Sequence, residues 1–325
     1  MPKDNKKWPS RRIFLAAPAL AALPVQAQSW PVKPLRIIVP YPAGQTADIL
    51  GRLIAEQLTR ALGQQVIVEN KPGAGGTIGV DVAAKAAPDG YTLVVVTLST
   101  HVMAPAVYPR LPYDPVKDFA FIANVGQTPQ TLISNPKSGI GSVKDLIEKA
   151  KAGELNYGSS GNGSAAHLAV ALMCAAAGIR MTHVPFKGNA EAQMALLSGD
   201  IQLMSDAIPA IVGPIRAGRI SAIGICDSRR SPFLPDVPTI AEQGYPSVIA
   251  VGSIGIGAPA NTPEAVLERL AAEMKRVLSE PSVTEKLQSL YFVPAGESRE
   301  QYSAFIANEI VRWRRIVQEA GVKVD

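Results

Sequence analysis

The sequence predicts an α/β fold built as two lobes, each a mainly parallel sheet flanked by helices. Short apolar runs alternate with amphipathic helical segments along almost the whole chain, which specifies parallel strands covered by helices. Nine runs of each kind are too many for one comfortable sheet, so they divide between two lobes. No Gly/Ser- or Pro-rich linker separates them. The expected connections are therefore extended segments near 119–130 and 219–230, with the second lobe inserted into the first.

The elements follow in order. LRIIV (35–39) opens the first sheet, and the apolar period of 48–62 (DILGRLIAEQLTRAL) predicts a helix behind it. QQVIVEN (64–70) and YTLVVVT (91–97) are β-branched runs bounded by turn residues, and 77–86 between them is helical. FAFIANVG (119–126) and QTLISN (130–135) read as two further strands. Strands are also expected at 154–160, 182–186, 201–207 and 220–226. Helices are expected at 142–151, 164–177, 189–198 and 207–217. Helical periods at 263–279, 282–290 and 298–320 close the chain and are expected to pack back on the first lobe. In residue ranges, 28–125 with 227–325 form lobe one and 126–226 form lobe two.

Residues 1–27 are expected to be a cleaved signal peptide. Five basic side chains precede the short apolar run IFLAAPALAAL, which is too short for a membrane-spanning helix. Val25-Gln26-Ala27 fits a signal-peptidase site, and Ser10-Arg11-Arg12-Ile13-Phe14-Leu15 resembles the twin-arginine export motif. The expected location is the periplasm. Removing this segment takes five of the 32 basic and one of the 27 acidic groups, leaving 27 and 26. The net charge of +5 thus falls to about +1. Most of the basicity belongs to export, and RRSPF (229–233) and RWRR (312–315) are too short to argue for nucleic acid. Cys174 and Cys226 lie in apolar runs and read as packing residues, with a disulfide as the lesser alternative.

Two strand–loop–helix junctions carry the chemistry. In VPYPAGQTAD (39–48), Gly44 permits a tight loop and Asp48 is suited to cap the following helix. Free N–H groups at such a helix start favour a carboxylate or phosphate, although a plain strand-to-helix turn uses the same residues. NYGSSGNGSAAHLAVALM (156–173) repeats that chemistry about 115 residues later, with hydroxyls from Ser159, Ser160 and Ser164. Two helix N-termini facing one cleft would clamp an anion from both sides.

Other chemistries find little support. Neither GxGxxG nor GxxxxGK[ST] occurs, and Lys71 precedes the glycines of NKPGAGGTIG, so a nucleotide site is not expected. GSSGNG is not a nucleophile elbow. A secreted hydrolase would have to pair Ser160 or Ser164 with His101, His167 or His183, and no acidic residue is placed by sequence to orient them. No metal-ligand spacing appears, and no cofactor is implied.

The chain from WPVKPLRIIVPYPAG to RWRRIVQEAGV resembles the Bug family, periplasmic receptors of tripartite tricarboxylate transporters. The resemblance rests on VPYPAGQTAD, VIVENKPGAGGTIG, AAKAAPDGYTL, LPYDPVKDF, LNYGSSGNGSAAHLA, HVPFKGNAEAQMALLSGDIQLM, RSPFLPDVPTIAEQGYP and GAPANTP. It implies a two-lobed periplasmic-binding-protein fold, type II-like, that is not an enzyme. The ligand would be a small di-, tri-, aromatic or amino-acid carboxylate held between the lobes and handed to membrane permease subunits. A sensor role, presenting ligand to a signalling partner, fits the same resemblance. Carried over by position, it implicates Tyr41, Ala43, Gly44, Gln45, Thr46 and Asp48, then Ser160, Gly161, Ser164 and Ala165. Ser99, His101, Lys187, Gly188 and Asp206 match other cleft positions, and His183 and Phe186 are assigned to packing. Gln45 stands where the family usually has a second glycine. Ser253 begins Ser253-Ile254-Gly255 where many members carry Trp-Phe-Gly, which implies a wider pocket at that wall.

Overall fold

The computed structural model describes residues 30–319. The chain divides into the units Met1–Trp30 and Pro31–Asp325. The expected signal peptide lies outside the described residues, and every strand and helix named below belongs to the second unit. No described helix is long and apolar enough to cross a membrane.

Ten strands form one mixed sheet flanked by helices. β1 (Leu35–Val39) lies between β2 (Val66–Asn70) and β3 (Thr92–Thr97), both parallel to it. α1 (Thr46–Leu62) and α2 (Thr77–Ala84) make the crossovers. After β3, a π-helical turn (Leu98–Met103) runs into the short α3 (Ala104–Val107). β5 (Asn156–Ser159), β6 (Thr182–Pro185) and β7 (Leu203–Ala207) form the second parallel group, with β5 between the other two. α4 (Val143–Ala152), α5 (Ala165–Ala177), α6 (Asn189–Ser198) and α7 (Ile208–Arg216) accompany it. The outer strands thus keep the expected parallel pairing.

The strands that join the two groups are antiparallel, and here the chain departs from the sequence reading. β4 (Phe119–Ser134) is one strand of 16 residues, not two. Its residues 119–129 pair with β9 (Val251–Pro259), which the sequence reading missed, and residues 130–134 pair with β7. β8 (Ser221–Ile225) and the short β10 (Val293–Pro294) also pair with β4. Pro129 is tolerated because it is the last residue of β4 paired with β9 and the partner changes at the next residue. Where the strands cross, Gln130 N–H bonds Ala250 O (2.9 Å), Cys226 N–H bonds Gln130 O (2.8 Å) and Ala250 N–H bonds Cys226 O (2.8 Å). Three chain segments are stitched together at that level.

β9 carries glycine where a side chain would have no room. A Cβ at Gly255 would lie 2.4 Å from Ala123 O and 2.5 Å from the Tyr302 ring. α8 (Glu264–Leu278), α9 (Pro281–Ser289) and α10 (Arg299–Glu319) return to this region, with Tyr302, Ile306, Ile310 and Trp313 buried. One apolar cluster runs from Ile38 and Phe121 through Trp313 to Met173 and Leu203, so both strand groups share a core. Cys174 and Cys226 are unpaired. Cys226 is fully buried, and burial pushes its thiol up to about 12.

Candidate solute-binding site

The two junctions singled out by sequence meet at a cavity of about 90 Å³. Of the sequence-derived site residues, Tyr41, Thr46, Ser99, Ser160, Ala165, Asp206 and Ser253 line it. Ala43, Gly44, Gln45, Asp48, His101, Gly161, Ser164, Lys187 and Gly188 do not. Thr97, Thr128, Gln130 and Asn189 line the cavity and were not anticipated. A larger groove of about 670 Å³, lined by Glu264, Glu268, Lys275 and Arg299 among others, contains none of the loop residues. Arg299 and Glu264 pair with each other across it, at 2.6 Å.

At the first junction Gly44 has φ +82°, in the left-handed region that glycine enters without strain. Gln45 occupies the N-cap position and offers no side-chain cap, so Asp48 does not cap α1. Its carboxylate, 2% exposed, instead reaches back to the loop. Oδ2 accepts the Gly44 N–H (2.8 Å) and Arg52 Nε (2.9 Å), and Oδ1 accepts Asn70 Nδ2 (2.9 Å). The same Asn70 amide holds Tyr41 O at 2.9 Å. Burial alone would raise the Asp48 pKa, but the hydrogen bonds from Arg52, Gly44 and Asn70, with the Arg52 charge, hold it below the usual carboxylate range. Asp48 shapes the loop from behind. As a result the N–H groups of Thr46, Ala47 and Asp48 have no acceptor among the described residues and stand free at the positive end of α1.

The second junction is built from neutral groups. Ser164 caps α5, its Oγ accepting the His167 N–H at 3.2 Å. Gly163 N–H bonds His167 Nδ1 (3.1 Å), and Ser159 Oγ pairs with His183 Nε2 (2.7 Å). The two imidazoles stack with centroids 3.9 Å apart and planes 7° apart. Burial lowers His167 to about 3 and His183 to about 4, so both rings are neutral at pH 7. Ala165 N–H already bonds Ser99 Oγ (2.9 Å), which leaves Ala166 as the free donor of this helix start. Ser160 lines the cavity. Gln130 Oε1 accepts from Ser205 Oγ at 2.9 Å, turning its amide nitrogen free toward the same space.

His101 stands behind the wall. Its ring packs among Phe119, Phe121 and Tyr113, and burial lowers its pKa to about 3. Nδ1 contacts Thr100 Oγ1 (2.9 Å), Thr100 contacts Thr97 Oγ1 (2.9 Å), and Thr97 lies 3.4 Å from the Tyr41 hydroxyl on the cavity surface. Its link to the site is through that chain. Gln45 and Gly188 meet beside the cavity: a Cβ at Gly188 would lie 2.6 Å from Gln45 Nε2. Lys187 is exposed. No Asp or Glu contacts His183, and neither Ser160 nor Ser164 bonds a histidine side chain among the described residues. The constellation a hydrolase needs is therefore not assembled.

A cavity walled by two helix N-termini, over strands that run from one sheet group to the other, defines a solute-binding protein of the two-lobed periplasmic class. The sequence pattern of the "Tripartite tricarboxylate transporter family receptor" matches residues 50–322. The chain belongs to that family, the Bug receptors, and is a receptor rather than an enzyme. It is 36% identical over 315 residues to protein BugT of Bordetella pertussis, covering 96% of each chain. Among solved structures it is similar to R. palustris Rpa4515 with adipate (33% identity, TM-score 0.87, 90% of this chain and 99% of that one). It is also similar to MatC from Rhodopseudomonas palustris with bound malate (32% identity, TM-score 0.84, covering 89% and 100%).

Proposed function

We propose that this protein captures a small carboxylate in the cavity between the two junctions and delivers it to the permease of a tripartite tricarboxylate transporter. The observation that carries the reading is the pair of free N–H groups at Thr46 and Ala47, residues that line the cavity and whose N–H groups have no acceptor among the described residues. Ser160, the Gln130 amide and the Ala166 N–H supply further donors from the opposite junction. The adipate and malate seen in the two relatives support the ligand class. Tyr41, Thr46, Ser99, Ser160, Ala165 and Ser253 touch the ligand in this scheme. Ala43, Gly44, Gln45, Asp48, Gly161, Ser164, Lys187 and Gly188 shape or flank the loops that do.

Residues 28–125 with 227–325 move as one lobe and 126–226 as the other, a division supported by the change of partners along β4. Ligand bridging both junctions binds the closed arrangement more tightly and shifts the population toward it. The Gln45–Gly188 contact lies on that closing seam. The work is done in the periplasm, after export through residues 1–27 by the twin-arginine route. Titration calorimetry and thermal shift on refolded, ligand-free protein test the reading with mono-, di- and tricarboxylates, aromatic acids and acidic amino acids. At least one carboxylate is expected to bind and raise Tm; silence across the panel would sink the proposal.

A further inference from the structure

Asn162 stands in the loop between β5 and α5 and does not line the cavity. Two segments from residues 28–125 nevertheless converge on its carbonyl. Tyr108, which follows α3, donates its hydroxyl to Asn162 O at 2.8 Å. Its ring passes so close to the next residue that a Cβ on Gly163 would lie 3.2 Å from Cε2, and Gly163 is buried with φ +71°. From the second segment, a Cβ on Gly75 would lie 3.5 Å from the same Asn162 O, and one on Gly161 would lie 3.9 Å from Gly75 N. Burial raises the Tyr108 pKa above its ordinary value, so the hydroxyl keeps its proton and stays a donor at neutral pH.

Gly75 belongs to NKPGAGGTIG (70–79), a stretch from which no residue lines the cavity. Residues 73–76 all have positive φ, and one of them is Ala74 at +46°, a strained conformation for alanine. Such a backbone persists only where its surroundings hold it. Here the Tyr41 hydroxyl donates to Gly75 O (3.3 Å), Thr77 Oγ1 donates to Ala74 O (2.9 Å), and the Asn162 loop lies against it.

We propose that Tyr108 and loop 73–76 form a latch that grips the Asn162 loop and holds the two lobes together around the cavity without touching the ligand. This rests on the two-lobe division above, since Tyr108 and Gly75 fall in one lobe and Asn162 in the other. A bound carboxylate favours closure through its own contacts, whereas a latch made of protein groups sets how much of the empty receptor already stands closed. It therefore tightens every ligand by the same factor and selects none.

Hydrogen exchange on ligand-free protein tests this. The Ala165 N–H bonds Ser99 Oγ across the same division, so it exchanges when the lobes part. Tyr108→Phe keeps the ring and removes the hydroxyl. It is expected to speed exchange at Ala165 roughly fivefold, the worth of one ordinary hydrogen bond. The amides of Val94 in β3 and Met204 in β7, whose strand partners lie within one lobe each, are expected to keep their rates. An unchanged rate at Ala165 overturns the latch. So does an equal acceleration at Val94 and Met204, which marks a general loss of stability. No ligand takes part, so either of those results leaves the carboxylate reading standing, and a silent carboxylate panel leaves the latch standing.

Discussion

The two junctions do the same job with opposite materials. The first is held by an ionised carboxylate: Asp48 gathers Gly44, Arg52 and Asn70, leaving three N–H groups at the start of α1 unspent. The second is held by hydroxyls and uncharged imidazoles: Ser164, Ser159, His167 and His183, with Ser99 taking one of the α5 donors from across the cavity. The first junction thus keeps more unspent donors, and the second is the better-satisfied frame. Two helix N-termini that look alike in sequence differ in how many donors they have left.

The largest effect expected from this contrast is at Asp48. Asp48→Ala removes the shared acceptor of three donors and should cost about 2–4 kcal/mol in urea unfolding, discounted because Arg52 is half exposed. A loss of only about 1 kcal/mol would return Asp48 to the role of an ordinary cap. Acid should then separate the junctions. Because the folded pKa of His167 is depressed to about 3, the unfolded chain binds its proton first as pH falls below 6.5. His167 alone then loses about 2–3 kcal/mol by pH 4.5, and the depressed His183 and His101 act in the same sense. Asp48, also depressed, begins to cost stability only below about 3.8. Asp206 works in the opposite sense, its raised pKa stabilising the protein as pH falls through about 6, so the titration is best read in Asp206→Asn protein. A flat urea midpoint from pH 6.5 to 4.5 in that background would break the contrast.

Gly44→Val sharpens the comparison at a smaller scale. A Cβ there meets nothing within 4 Å, so the cost is the left-handed backbone alone, about 1–2 kcal/mol, while affinity should fall by more than tenfold as the loop re-aims its donors. Equal losses of stability and binding energy would mean that the loop is merely structural. Smallest is Ser164→Ala, which should cost about 1 kcal/mol as a lost helix cap and change affinity less than Gly44→Val does.

The sequence made the alternation of strands and helices readable, because hydrophobic period is a local signal. It also flagged both loops, because glycine and serine at strand–helix junctions mark where backbone donors are exposed. β9 escaped because VGSIGIGAP spends its alternate positions on glycine and serine, a pattern imposed by Tyr302 pressing on Gly255 rather than by strand propensity. β4 was read as two strands, 119–126 and 130–135, because nothing local announces a strand that changes partners between them. Thr128, Gln130 and Asn189 were missed for a related reason: a single polar residue on a buried strand or at a helix start carries no motif, and only the assembled fold shows it facing the cavity. His101 was placed at the site by resemblance to the family. The aromatic cage that sets it behind the wall comes from Phe119 and Phe121, about twenty residues away in sequence.

The long strand β4 also bears on how the protein folds. Its 16 residues supply hydrogen-bond partners to both strand groups, and its apolar side chains belong to a core that both groups share. Neither group can complete its sheet until the other has recruited this strand, so the polypeptide gains most of its stability in one step. The two strand groups should therefore melt together, as a single cooperative transition by calorimetry.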